Sequence, residues 1–187
     1  MNSYVTLYDN TYSKEACQSL IDKFEAYPEV WLPEEHTYKD GWHMHFTQIK
    51  LAEHEVFAKE NEMLHNLFLQ GISAYKKENA IKDIQWPSKF KLEPIRMKRY
   101  LPNTDERFDE HVEVTNLQTA RRFLVAFIYL NDNFLGGETD FTQLKMRVTP
   151  KQGTMILFPA TWNWLHKAYP VQEENSKYIV GTLLHYV

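Results

Sequence analysis

The hydrophobic pattern of the chain changes near residue 96. Before this point the long apolar patterns have helical spacing, and after it short apolar or β-branched runs alternate with turn signals. Helical patterns followed by strand patterns are typical of an α+β protein. We therefore expect a β-sandwich or barrel that is buttressed by N-terminal helices.

Two helices are predicted in the first half of the chain. Ser13 offers a side-chain oxygen as the N-cap of the first, whose apolar residues recur at helical spacing until Pro28. The second runs from about Glu53 to Lys77. The segments 31–50 and 79–94 show no comparable period and are interpreted as an irregular, aromatic stretch and a connection.

Six segments are predicted as strands. One of them, Phe123–Leu130, is apolar on both faces, which predicts an inner strand covered on each side. The full set is Tyr4–Tyr8, Arg96–Tyr100, Phe123–Leu130, Lys145–Val148, Thr154–Phe158 and Tyr178–Val187.

Composition limits the classes of protein that fit. With 187 residues the chain suits a single domain, which we divide into a helical support region, 1–95, and a strand-rich core, 96–187. The formal net charge of −4 and the lack of a basic run argue against a nucleic-acid partner.

Cys17 is the only cysteine, which excludes an internal disulfide. Met1–Val5 lacks a signal-peptide pattern and no apolar run approaches the length of a membrane span, so we expect a soluble protein without membrane contact, located in a bacterial or virus-infected cytoplasm.

His111 and Glu113 stand two residues apart and form the first candidate metal site. On an extended segment both side chains point to the same face, where an imidazole and a carboxylate can bind one ion. His166 is the best candidate for a third ligand. Two histidines and one carboxylate leave three coordination positions open, as non-haem Fe(II) oxygenases require. His43 and His45 form a rival pair, but no carboxylate shares their alternation.

A set of motifs in the second half resembles the prolyl 4-hydroxylases, which are Fe(II)/2-oxoglutarate-dependent dioxygenases. The resemblance covers residues 96 to 187, and the segment from Tyr8 to Ile21 is similar to the helix entry of small family members. The motifs occur in the family's order: Arg99-Tyr100, His111-x-Glu113, Arg122, Tyr129-Leu-Asn131, Gly136-Gly-Glu-Thr139-x-Phe141, Pro150-x-x-Gly153, Phe158, Leu165-His166, Pro170-Val171 and Lys177-Tyr178.

The resemblance implies a double-stranded β-helix, or jelly-roll, core and a role for each matched residue. His111, Glu113 and His166 are expected to hold Fe(II). Lys177 is expected to bind the distal carboxylate of 2-oxoglutarate, with help from Thr139 and Tyr100. Two further residues have open roles: Tyr129 lines the cosubstrate pocket or packs in the core, and Arg122 faces the substrate or forms a surface ion pair.

The resemblance also implies a reaction. The enzyme would use O2 to convert 2-oxoglutarate to succinate and CO2 while it hydroxylates prolyl residues of a peptide or protein, with ascorbate as the reductant. Three positions depart from the family pattern: Glu113 replaces an aspartate, Phe108 a tyrosine, and Leu183 a substrate-facing tryptophan. The alternatives are an oxygenase that acts on another residue or a free small molecule, and a binding module without turnover.

Overall fold

The computed structural model describes residues 3–39 and 41–187. Met1 and Asn2 lie outside these ranges, and they are the first two residues of the segment Met1–Val5 that was used above to argue against a signal peptide. The helices are α1 (Lys14–Ala26) and α2 (Ala58–Glu78). The strands are β1 (Thr6–Tyr8), β2 (Leu32–Thr37), β3 (His43–Lys50), β4 (Phe90–Leu92), β5 (Arg96–Tyr100), β6 (Phe108–His111), β7 (Arg122–Tyr129), β8 (Leu135–Gly136), β9 (Thr139–Phe141), β10 (Met146–Val148), β11 (Met155–Pro159), β12 (His166–Ala168), β13 (Val171–Gln172) and β14 (Lys177–Tyr186).

The strands pair antiparallel and follow one path, β1-β11-β7-β14-β5-β3-β6-β12-β9-β10. Strands β2 and β4 pair beside this path with β3 and β14, and β8 pairs separately with β13. The path joins strands far apart in sequence, as a jelly roll does. The α+β class and the jelly-roll core predicted from the sequence are confirmed.

The main core lies between the helices and the sheet. Leu20 and Phe24 from α1 and Leu64 and Phe68 from α2 belong to one buried cluster that also holds residues of the central strands, Met97, Leu124, Ile128, Leu157 and Val180. Ser13 caps α1 as predicted, because its Oγ accepts a hydrogen bond from the Ala16 amide at 3.2 Å. Neither helix of the described chain has the length and apolar character needed to span a membrane.

Alternation along the central strands creates a second, inner side. On β7, Leu124 and Ile128 face the helices, whereas Val125 and Tyr129 join an inner cluster with Phe141. β7 lies between β11 and β14, so the prediction of an inner strand covered on both faces is confirmed.

The first 95 residues contribute more strand than the sequence indicated. The segment 31–50, interpreted as irregular, forms the β2–β3 hairpin, and the connection 79–94 contains β4. β2 carries mostly exposed side chains, and therefore shows no apolar alternation to find. The second helix begins at Ala58 instead of Glu53, because two 3-10 turns precede it. The support region is thus not purely helical.

Candidate active site

Three candidate ligands converge at the ends of two paired strands. β6 ends at His111, which lies opposite His166, the first residue of β12. Glu113 follows β6 by two residues, and its Oε1 lies 3.5 Å from His111 Nε2 and 3.7 Å from His166 Nε2. One ligand atom from each residue falls within 4.8 Å of the others. The structure therefore brings together the three residues predicted from the sequence.

Each histidine of this triad is oriented by its second ring nitrogen. His111 Nδ1 lies 2.8 Å from the Asp109 carbonyl, and His166 Nδ1 lies 2.8 Å from the Trp164 carbonyl. A carbonyl only accepts, so each Nδ1 carries the proton and each Nε2 keeps a lone pair directed at the triad. This outer-shell hydrogen bonding is the arrangement found for histidines that bind metals.

Phe108 fixes the plane of the first histidine. Its ring stacks on His111 with centroids 3.5 Å apart and an angle of 6° between the planes. The hydroxyl that the family carries at this position is absent, yet the aromatic ring still packs against the ligand. The departure at Phe108 therefore retains a positioning contact.

The electrostatics of the triad suit a cation. Burial alone would raise the pKa of Glu113, but hydrogen bonding and charge interaction with His111, together with the charges of His166 and Lys98, hold this pKa at about 2. Burial and the neighbouring His111 lower the pKa of His166 to about 4. At neutral pH the triad therefore offers one carboxylate and unprotonated His166, the forms in which these groups bind a metal.

Arg122 is held by carboxylates beside the triad. Its Nε and Nη2 donate to Glu93 at 2.6 and 3.0 Å, and its Nη1 lies 3.7 Å from Glu113 Oε2. The structure thus contains the ion pair that was one of the two alternatives for Arg122. Its substrate-facing role stays a prediction.

Lys177 lies in a cavity that extends from the triad, with a volume of about 110 Å³. It is 2% exposed, and its Nζ donates to the Gly137 carbonyl at 2.6 Å. Among the described residues no carboxylate forms an ion pair with it, and the rings of Tyr100 and Tyr129 lie 5.3 and 5.6 Å from Nζ. Burial lowers the pKa of Lys177 to about 7. Lysine is almost never fully buried unless it is paired, so this position fits an anionic ligand.

Thr139 and Tyr100 line the same cavity, as predicted. The position of Tyr129 favours core packing over the lining of the cosubstrate pocket. Its side chain is fully buried in the inner cluster and is absent from the cavity lining. Its hydroxyl lies 2.7 Å from Thr139 Oγ1. Tyr129 therefore reaches the cavity through Thr139, whose hydroxyl it orients.

The sequence did not single out Lys98, which also lines the cavity. Its Nζ lies 4.2 Å from the centroid of Phe46 and 5.4 Å from that of Phe108. In the described part of the chain it has neither a hydrogen bond nor an ion pair, and burial lowers its pKa to about 8. Its position two residues before Tyr100 on β5 was the available signal, because alternation places both on one face.

A second, more open groove meets the triad from the other side. It has a volume of about 550 Å³ and shares three residues with the inner cavity: Phe108, His111 and Glu113. The rest of its lining is aromatic, polar and, at two positions, aliphatic: Tyr38, Trp42, Glu110, Val112, Thr115, Thr119, Arg122 and Leu165. Leu183, the third departure from the family pattern, lines the inner cavity instead.

Residues 95–185 match the family model described as the 2OG-Fe(II) oxygenase superfamily. These 91 of the 187 residues are similar to that superfamily, and they include the triad and Lys177. The enzyme is therefore a 2-oxoglutarate-dependent dioxygenase, with Fe(II) and 2-oxoglutarate as its cofactors. The triad fits Fe(II), since it has two oriented imidazoles and one carboxylate, and the buried Lys177 fits an anionic cosubstrate.

Several solved structures share the fold of this oxygenase. The viral collagen prolyl hydroxylase vCPH from Paramecium bursaria Chlorella virus-1 is 21% identical, with a TM-score of 0.67 over 98% of this chain and 96% of that chain. A prolyl-4-hydroxylase from Pseudomonas putida is 14% identical, with a TM-score of 0.67 over 100% and 94%. A prolyl hydroxylase from Trichoplax adhaerens, solved with a peptide fragment of the hypoxia inducible factor oxygen degradation domain, is 11% identical, with a TM-score of 0.75 over 98% and 84%. No curated protein matches this chain in sequence.

Proposed function

We propose that this oxygenase hydroxylates prolyl residues of a peptide or protein. The observation that carries the oxygenase assignment is the buried Lys177, which faces a cavity that extends from the His111/Glu113/His166 triad. The prolyl target is supported by the named activities of the similar structures and by the open groove beside the triad, which has room for an extended peptide.

The chain's own residues would bind and orient the reactants. His111, Glu113 and His166 hold Fe(II), and Lys177 binds the distal carboxylate of 2-oxoglutarate. A facing ammonium at about 4 Å contributes on the order of 4 kcal/mol at an effective dielectric of about 20, before the cost of desolvation is subtracted. Thr139 and Tyr100 offer hydroxyl groups to the same carboxylate, and apolar residues such as Phe158 exclude water.

Bound Fe(II) and 2-oxoglutarate supply the oxidation, in which one atom of O2 enters succinate as CO2 leaves and the other enters the substrate C–H bond as a hydroxyl. Ascorbate would serve as the reductant that keeps the iron in the ferrous state. Cys17, the one cysteine of the chain, has no second cysteine with which to form a disulfide, which suits a protein that works in a reducing cytoplasm.

The test is incubation with Fe(II), ascorbate, 2-oxoglutarate and a library of proline-containing peptides. Fragmentation mass spectrometry should place the added mass of one oxygen atom on proline, and the same peptides with alanine in place of that proline should stay unmodified. Succinate production without any modified proline across the library would remove the prolyl assignment and keep the oxygenase.

A second candidate is hydroxylation of a free, anionic small molecule. Lys98 favours it, because this ammonium lines the cavity beside the triad without an ion-pair partner in the described residues. Succinate release measured with free amino acids and small carboxylic acids, in parallel with the peptides, separates the two. Turnover of a free acid and of no peptide would favour this second candidate, provided that Lys98→Met abolishes the turnover of the acid.

A further inference from the structure

We propose that His43, His45 and Asp105 form a second metal site, for zinc or a similar divalent first-row ion, separate from the iron centre. His43 and His45 occupy alternate positions on β3. Phe46, the next residue, has the opposite orientation and packs against Tyr100 in an inner cluster. Alternation therefore turns the two histidines to the face of the sheet opposite the catalytic cavity. The proposal does not depend on the reaction that the enzyme catalyses.

The ligand atoms of this site lie close together. Asp105 Oδ2 is 3.3 Å from His43 Nε2, and Asp105 Oδ1 is 3.1 Å from His45 Nδ1. All three residues offer ligand atoms within 4.8 Å of one another, as the residues of the iron triad also do.

His43 again has a hydrogen-bond partner for its other ring nitrogen, because Thr37 Oγ1 lies 2.8 Å from His43 Nδ1. This is the outer-shell pattern that orients metal-binding histidines, and His111 and His166 show it in the iron triad through backbone carbonyls. At His45 the other ring nitrogen, Nε2, has only a charged neighbour, Glu106 Oε1, at 4.0 Å.

His43 supplies an independent observation that points to a ligand. Its side chain is 7% exposed, and its Nε2 is buried without a hydrogen bond to any residue in 3–39 or 41–187. A buried nitrogen without a hydrogen bond is costly, and the contact with Asp105 Oδ2 at 3.3 Å does not supply one. A divalent cation between Nε2 and Asp105 would satisfy both groups.

The residue types and exposure favour zinc. Two imidazoles and one carboxylate with a water molecule complete a four-coordinate site, and the Asp105 side chain is 60% exposed, which leaves room for water. The bound ion would join the β2–β3 hairpin to the loop that leads from β5 into β6, the strand that ends at His111. It would therefore stabilise one wall of the active-site region from outside.

Calorimetric titration of the metal-free full chain with Zn(II) tests the site. We expect two bound ions for the wild type, one for Asp105→Asn, one for the double variant His111→Ala/His166→Ala, and none when the three changes are combined. His36→Ala is the matched control, because His36 lies on the same hairpin outside the cluster, and it should bind two. Thr37→Val should weaken the second site about tenfold by removing its outer-shell partner.

Circular dichroism establishes that each variant is folded, and Asp105 is exposed enough for the asparagine variant to test the site alone. Co(II) in place of Zn(II) should give the visible absorption of a four-coordinate ion in the His111→Ala/His166→Ala variant. Addition of Asp105→Asn to that variant should remove this absorption. The proposal would be overturned if Asp105→Asn bound two Zn(II) ions. It would also be overturned if the wild type bound one ion and only the His111→Ala/His166→Ala variant lost it.

Discussion

Lys177 Nζ donates to the carbonyl of Gly137 at 2.6 Å inside a cavity that extends from the iron-binding triad. This bond fixes the position of the ammonium but leaves its charge unneutralised. The backbone of Gly137 has a positive φ of 66°, and a Cβ there would lie 3.0 Å from Lys177 Cδ and 2.9 Å from the Phe134 ring. A glycine is therefore required for the lysine to reach this carbonyl.

Replacing Lys177 by methionine should remove most of the affinity for 2-oxoglutarate. Truncation of one member of a buried charge pair costs about 2–5 kcal/mol, which corresponds to a Kd at least about 30-fold higher. Calorimetry with Mn(II) in place of Fe(II) measures the Kd without turnover. Lys91→Met, which removes an exposed lysine on β4, is the charge-matched control and should bind as the wild type does. Equal affinities for both variants would contradict the role of Lys177.

Binding of 2-oxoglutarate should depend on pH. The pKa of Lys177 in the free enzyme is about 7, and a bound carboxylate raises it. Below this pKa the ammonium is already formed, whereas above it each binding event takes up a proton, so affinity should fall about tenfold per pH unit. Calorimetry in buffers of different ionisation enthalpy measures the proton uptake. Lys177→Arg keeps its charge at every pH tested and should show neither uptake nor this slope.

Arg122→Met should weaken Fe(II) binding. Arg122 holds Glu113 from one side while Glu93 holds Arg122, so its loss frees the ligand carboxylate. Loss of such an outer-shell contact reduces metal affinity about 10- to 100-fold. Arg96→Met is the control, because Arg96 also pairs with Glu93 but has no ion pair with Glu113 within the described residues. Unchanged Fe(II) affinity together with a raised KM for the substrate would instead support the substrate-facing role.

Gly153→Ala should destabilise the fold more than Gly41→Ala does. Both glycines have positive φ, 76° and 86°, which costs an alanine about 1–2 kcal/mol. At Gly153 the new Cβ would also lie 2.2 Å from the Tyr12 carbonyl, whereas nothing lies within 4 Å at Gly41. Chemical denaturation should therefore show a loss of free energy of unfolding greater by about 1–3 kcal/mol at Gly153. Equal losses would mean that the close approach to Tyr12 is relieved at no cost.

The parts of the site that share a short stretch of sequence, or a recognisable motif, could be predicted. His111 and Glu113 were found by their alternation, and His166, Lys177 and Thr139 by the order of the motifs. The inner position of β7 followed from its apolar residues on both faces. In each case the signal lay in the sequence itself and did not require knowledge of which strands pair.

The features that were missed depend on contacts between distant segments. Asp105 joins His43 and His45 only because the loop before β6 folds back on the β2–β3 hairpin. The sequence indicated that Arg122 faces the substrate or forms an ion pair, but it did not indicate the partner. That partner, Glu93, lies in the segment 79–94, which was interpreted as a connection. Lys98 was overlooked because a lysine in a strand is usually solvated, although its alternation with Tyr100 on β5 indicated the face that lines the cavity.

The most direct measurement of the central claim is succinate formation from 2-oxoglutarate by wild type, Glu113→Ala and Glu113→Asp, each supplied with Fe(II), O2 and ascorbate. We expect iron-dependent succinate from the wild type, retained turnover with aspartate, and turnover at the level of the metal-free enzyme with alanine, because alanine removes the only carboxylate ligand of the triad. Circular dichroism of Glu113→Ala separates loss of the ligand from loss of the fold. Undiminished succinate formation by Glu113→Ala would contradict the assignment of His111, Glu113 and His166 as the iron centre.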